Sequence, residues 1–195
     1  VSKTAIGLRA QKGGAVAVGV SVAADGPRLL FSRFLPTSTE GDRLSHEPYR
    51  VAFEMADSAA RAEAVAEGRG RQRTLAAEGL EGLDHKPDAA ALLVNRAGWI
   101  TDLLDYALSW PDHVPIAETM AVRDALRFAV GKCGLELVEL DEKSLPDQAA
   151  RGLGLSAAEI DAQLKAFAPA AGKPWRKEQK LAALAAWIAA ASRGA

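Results

Sequence analysis

Apolar residues in the first third of the chain fall in short runs separated by turn residues, the pattern of strands. Thr4 to Ala10 and Ala15 to Ala23 flank "QKGG", whose glycines can take positive φ in a tight turn. "ADGP", Ala24 to Pro27, holds the Asp-Gly pair favoured in hairpins, and "RLLFSRFL", Arg28 to Leu35, follows as a third strand. The economical arrangement is an antiparallel meander. One charge interrupts it: Arg9 sits late in the first strand, inside "AIGLRAQKGGAVAVGV".

Beyond the polar stretch "PTSTEGDRLS" the period changes. Ala52, Phe53, Ala56, Ala59 and Ala60 keep helical spacing in a segment from His46 to about Leu80, with Ser45 as cap and Pro48 within the first turn. Tyr49, Val51, Phe53 and Met55 also alternate as a strand would. Length favours helix, because no turn signal follows before Gly68, where Gly68 and Gly70 can kink or break it. "AAALLVNRA" then reads as a buried strand, "GWITDLLDYALSW" and "VPIAETMAVRDALRFAVGKCG" as helices, and "LELVELDEK" as a fifth strand. The remainder is helical: Ser144 and Asp147 can start one turn, Ser156 and Glu159 form a capping-box pattern, and "PWRKEQKLAALAAWIAAA" closes the series.

Composition narrows the function classes. A chain of 195 residues, 49% hydrophobic and 25% charged, is ordinary for a globular domain. A net charge of −1 means that any basic surface for nucleic acid must be local. Cys133 is the single cysteine, which excludes an intrachain disulfide and a cysteine-rich zinc site, and its apolar-spaced surroundings make it a small core residue. His46, His85 and His113 lack the spacing of a metal-binding helix. Phosphate-loop, dinucleotide and nucleophile-elbow motifs are missing. No signal-peptide pattern opens the chain and no apolar run is long enough to span a bilayer, so the expected location is cytoplasmic with no membrane partner. Abundant Ala, Gly and Arg suit a GC-rich bacterial genome.

The order strand, strand, strand, helix, strand, helix, strand, helix resembles the ribonuclease H-like fold, shared with RuvC-like resolvases and many transposases. "AIGLR" with "GGAVAVGV" is similar to the first hairpin of ribonuclease H. "SHEPYRVAF" stands at the place of a glutamate-bearing helix start, and "ALLVNRAGWITDLLDYALSW" resembles the fourth strand and following helix. The similarity covers roughly residues 4 to 155. It implies an α/β fold with a mixed five-stranded sheet in the order 3-2-1-4-5, helices on both faces, and a C-terminal helical extension. The expected division is a ribonuclease H-like domain over 1–155 with the extension, 156–195, packed on it.

The chemistry implied by that resemblance is two-metal phosphodiester hydrolysis, which needs acidic oxygens on adjacent strands and a facing helix. Here the first-strand acidic position is Arg9, and the fourth-strand position is Arg96, or Asn95 if the register slips by one. Glu47 and then Glu54 are candidates for the helix glutamate. Asp141, Glu142 and Asp147 lie near the late acidic position without a matching register. A guanidinium within about 4–5 Å of a divalent ion meets a repulsion of several kcal/mol even at an effective dielectric near 20, and arginine cannot shed its proton. The expectation is a nuclease framework without metal or other cofactor. Mg2+ enters only under the nuclease alternative, with Glu47, Glu54, Asp141 and Glu142 as its ligands.

Two readings of the misplaced cations remain open. Arg9 and Arg96, with Lys12 on the hairpin, would hold a phosphate by charge-assisted bonds, or Arg9 would pair with Glu47 or Glu54 in a structural bridge. "RGRQR", with Arg69, Arg71 and Arg73, and "KPWRKEQK", with Lys173, Arg176 and Lys177 around Trp175, could each follow a nucleic-acid backbone with an aromatic platform. The preferred reading of both is an ordinary solvated face with a packed tryptophan, the first run being accompanied by Glu63, Glu67 and Glu78. Leu181, Leu184, Trp187 and Ile188 would cover the sheet or, if apolar surface is in excess, form a homodimer face. The leading expectation is a non-catalytic module for nucleic acid or a phosphate-containing ligand. A RuvC-like nuclease predicts clustered acids at the sheet centre, a binder predicts open positive charge, and a protein-interaction scaffold predicts paired charges with an exposed apolar patch.

Overall fold

The computed structural model describes residues 2–95 and 98–192. Five strands, β1 (Lys3–Gln11), β2 (Gly14–Ala23), β3 (Gly26–Pro36), β4 (Ala89–Val94) and β5 (Glu136–Asp141), form one sheet in the order β3-β2-β1-β4-β5. The first three pair antiparallel, and β1–β4 and β4–β5 pair parallel. The turn after β1 uses Gly13 at φ 79° and that after β2 uses Gly26 at φ 108°, backbone regions from which a Cβ is sterically discouraged.

Alternation along β1 distributes side chains to two layers. Ile6, Leu8 and Ala10 join a core with α3 (Ser58–Glu81) and α5 (Val114–Lys132). Ala5, Val16, Val18, Ala91 and Leu93 join a second core under α6 (Leu145–Leu153), α7 (Ala157–Ala166) and α9 (Lys177–Ser192). Helix α9 lies directly on β1: a Cβ on Gly7 would stand 1.8 Å from the Ala182 carbonyl oxygen, so the approach exists only because residue 7 has no side chain. Ala182 to Ala190 are buried, Trp187 and Ile188 among them, and the apolar residues offered as a dimer face are spent on the protein's own sheet, with Leu181 partly covered.

The single long helix expected from His46 to Leu80 is three: α1 (Arg43–His46), α2 (Pro48–Glu54) and α3. Asp42, not Ser45, caps α1 by accepting from the Leu44 amide, while Ser45 is buried inside it. Pro48 opens α2, since its ring clashes with a continuing turn and it has no N–H to give. Met55 is extended, and Asp57 then caps α3 through the Ala59 amide. Neither Gly68 nor Gly70 breaks α3. Gly68 marks a close approach, where a Cβ would meet the Leu44 carbonyl oxygen at 2.3 Å and the Pro48 Cβ at 2.6 Å.

Helix α4 (Leu103–Ser109) is shorter than expected, capped by Asp102 and stopped ahead of Pro111 by extended Trp110; a turn of 3-10 helix, Pro111–His113, then leads into α5. The Ser156–Glu159 capping box is present, and the short α8 (Ala168–Ala171) precedes the last helix. Cys133 caps α5 and is half-buried beside the first core, where burial pushes its thiol pKa up.

Candidate nucleic-acid interface

Odd-numbered side chains of β1 face α9, so Arg9 emerges on that layer in a cross-strand row with Val16 and Phe34. Its guanidinium does not stand open. Nε and Nη2 each donate to a carboxylate oxygen of Glu142, both at 3.0 Å, a two-pronged bridge about a quarter exposed. The bridge between Arg9 and an acid therefore exists with a different partner from Glu47 or Glu54. Glu142 reaches it because parallel pairing places the end of β5 beside β4, one strand from β1.

The other expected acids are committed elsewhere. Glu47, at the joint between α1 and α2, accepts from Lys12 Nζ at 2.6 Å and from Arg43 Nε at 2.8 Å. The Lys12 hydrogen bond, with that from Arg43, holds its carboxyl below the usual range. Arg43 also grips both oxygens of Glu54, at 3.0 and 3.1 Å. Asp141 accepts from the Lys143 amide at 3.0 Å. Among the described residues no group of three or more His, Cys, Asp or Glu is placed to hold a metal ion. Of the four candidate acids, Glu47, Glu54 and Glu142 are each bound by arginine or lysine nitrogens. Arg96 lies outside the described residues, so the Arg9, Lys12 and Arg96 cluster is represented only by Arg9 and Lys12, each bound to a glutamate.

The two basic runs have opposite fates. On α3, Arg69 pairs with Asp124 at 2.9 Å, Arg71 with Asp42 at 2.9 Å and with Glu67, and Arg73 lies over the Phe128 ring at 5.5 Å. Around the start of α9, Lys173, Arg176 and Lys177 are exposed, and among the described residues no carboxylate comes within ion-pairing distance of them. Trp175 is not a platform: its indole N–H donates to the Leu164 carbonyl at 2.9 Å and its ring packs on the α9 core. A groove of about 400 Å³ opens between this segment and the sheet, lined by Gln11, Ser32, Phe34, Lys173, Arg176 and Gln179.

Sequence reasoning passed over Phe34, Glu118 and Arg123. Phe34 keeps 46% of its surface exposed in the row that starts at Arg9. Glu118 is buried on α5, in the same helical stripe as Val114, Ala121 and Val122, and an acid at an apolar position was the available signal. It accepts from the Arg50 amide at 2.8 Å at the start of α2, and burial raises its pKa to about 7. Arg123, half-buried on α5, faces the Asn95 side-chain amide, whose oxygen accepts from Nη2 at 3.2 Å once the amide is turned toward it, and its Nε has no partner among the described residues.

No protein-family model and no curated protein matches the sequence. Solved structures do: Thermus thermophilus RuvC aligns at 14% identity and a TM-score of 0.56 over 98% of this chain and 96% of that one. The same protein in complex with its Holliday junction substrate aligns at 16% identity and a TM-score of 0.59, with the same coverage. At such identities the likeness speaks for architecture. The chain has the RuvC form of the ribonuclease H-like fold along nearly its whole length.

Proposed function

We propose that this protein is a non-catalytic ribonuclease H-like module that binds nucleic acid through the basic rim at the start of α9. The observation that carries the reading is the set of exposed, unpaired cations Lys173, Arg176 and Lys177, beside a sheet centre where Arg9 and Glu142 neutralise each other. Open positive charge is the mark of a binder, and here it lies at the rim and not at Arg9. The likeness to a resolvase recorded with a Holliday junction makes branched DNA a natural probe.

Fluorescence anisotropy on a labelled single strand, a duplex and a four-way junction, repeated across salt concentrations, tests it. Lys173→Glu, Arg176→Glu and Lys177→Glu together are expected to weaken binding at least tenfold. They also flatten the plot of log affinity against log salt by about 2 for a single strand, from a slope of roughly 0.7 per phosphate contact. Divalent-dependent cleavage of any probe that Glu47→Ala abolishes overturns the non-catalytic half of the proposal.

A protein-interaction scaffold is the second reading, favoured by Trp99 and Trp110, which are 70% and 59% exposed. It predicts that no oligonucleotide binds and that Trp99→Ser with Trp110→Ser removes self-association measured by light scattering.

A further inference from the structure

The groove beside α9 contains more than charge. Phe34 leans over Gly14: a Cβ on Gly14 would lie 2.5 Å from the ring's Cζ and 2.8 Å from its Cε1, so the ring packs close against bare backbone. Nearly half of the side chain remains open to solvent. Phe34 lines the same groove as the Lys173 and Arg176 cations, which outnumber the one carboxylate there, Glu178. Gln11, Ser32 and Gln179 add amide and hydroxyl groups to the lining. The volume of about 400 Å³ falls within the roughly 300–1,000 Å³ of small-ligand sites, room for a nucleotide unit and not for a duplex.

Resting on the nucleic-acid reading above, we infer that this groove takes an unpaired nucleotide of a single strand or a frayed end, with its base stacked on Phe34 and its phosphate held by Lys173 and Arg176. An aromatic ring backed closely by glycine is pre-organised: it cannot collapse further onto the sheet, and stacking on it costs little side-chain freedom. A base inside a duplex already has both faces stacked and gains nothing from the ring. The arrangement therefore selects unpaired over paired nucleic acid, and tolerates any base because every base has a π-face.

The test compares three labelled probes of one length: oligothymidylate, an oligomer of abasic sites with the same phosphates, and a duplex. The protein is expected to bind oligothymidylate about tenfold more tightly than the abasic oligomer. Phe34→Ala should remove that preference and Phe34→Trp should keep it, while Lys173→Glu with Arg176→Glu weakens both probes. Equal binding of oligothymidylate and the abasic oligomer, still sensitive to salt, overturns the stacking inference and leaves the basic-rim reading intact. Absence of binding to all three overturns both. Displacement of oligothymidylate by oligoglutamate at equal charge assigns the groove to acidic peptides and overturns the inference as well.

Discussion

The α3 face and the start of α9 carry comparable basic runs and present opposite surfaces. Arg69 and Arg71 are met by Asp124, Asp42 and Glu67, which come from α5, from the segment before α1 and from one turn back on α3. Lys173, Arg176 and Lys177 meet no acid among the described residues. The density of cations in the sequence is therefore a poor guide to field at the surface. A run of arginines packed among helices recruits counter-charges, whereas the rim cations share their groove with one carboxylate, Glu178, which forms no ion pair with them. The sheet centre follows the α3 pattern: Arg9, Lys12 and Arg43 are all bound to glutamates.

The largest expected effect concerns the neutralised side and its most buried acid. Glu118 faces Lys12 and Glu47 through space and the amides of Tyr49 and Arg50 directly. Its folded pKa, about 7, lies above an unfolded value near 4.5, so the folded state holds its proton more tightly. Stability from this group is fully present below the unfolded value and is lost as pH rises through about 7, on the order of 3 kcal/mol in all. Urea midpoints measured from pH 5 to 8 should fall with pH in the natural protein. Glu118→Gln should cancel that slope and be the more stable of the two at pH 8.

An intermediate effect is expected at the sheet centre. Glu142→Ala leaves Arg9 partly buried without its carboxylate and should cost about 1.5–3 kcal/mol by denaturant unfolding. The same substitution frees a positive charge next to the groove, so affinity for a single strand should rise a few-fold at low salt. A fall in affinity would mean that Arg9 faces away from the bound strand. The smallest effect belongs to α3: neutralising Arg69, Arg71 and Arg73 together should change oligonucleotide affinity less than threefold and stability by about 1–2 kcal/mol, since exposed pairs contribute roughly 0.2–1 kcal/mol each. A loss as large as that from the α9 rim would break the contrast between the two runs.

Much of the fold was legible because it rests on local signals. Glycine turns, alternation in β1 to β3 and the Ser156–Glu159 box all reappear in the structure. The split of the long helix was also written locally, in Pro48 and Asp57, but a continuous alanine pattern masked it. The glycines of α3 misled in the other direction: Gly68 is a packing contact against Leu44 and Pro48, a fact about distant backbone that no window of sequence contains. Phe34 was unremarkable as one apolar residue of a strand, and became a candidate only when Gly14 and the segment before α9 were placed around it.

Alone, the sequence determined the succession of strands and most of the helices, since these depend on residue type and near spacing; the sheet order followed from the resemblance to the ribonuclease H-like fold and is the order observed. Only the tertiary structure decided which charges meet. Pairing is a matter of a few ångströms between residues 133 positions apart in the case of Arg9 and Glu142, and that distance is set by parallel strand packing and not by anything near either residue in the chain.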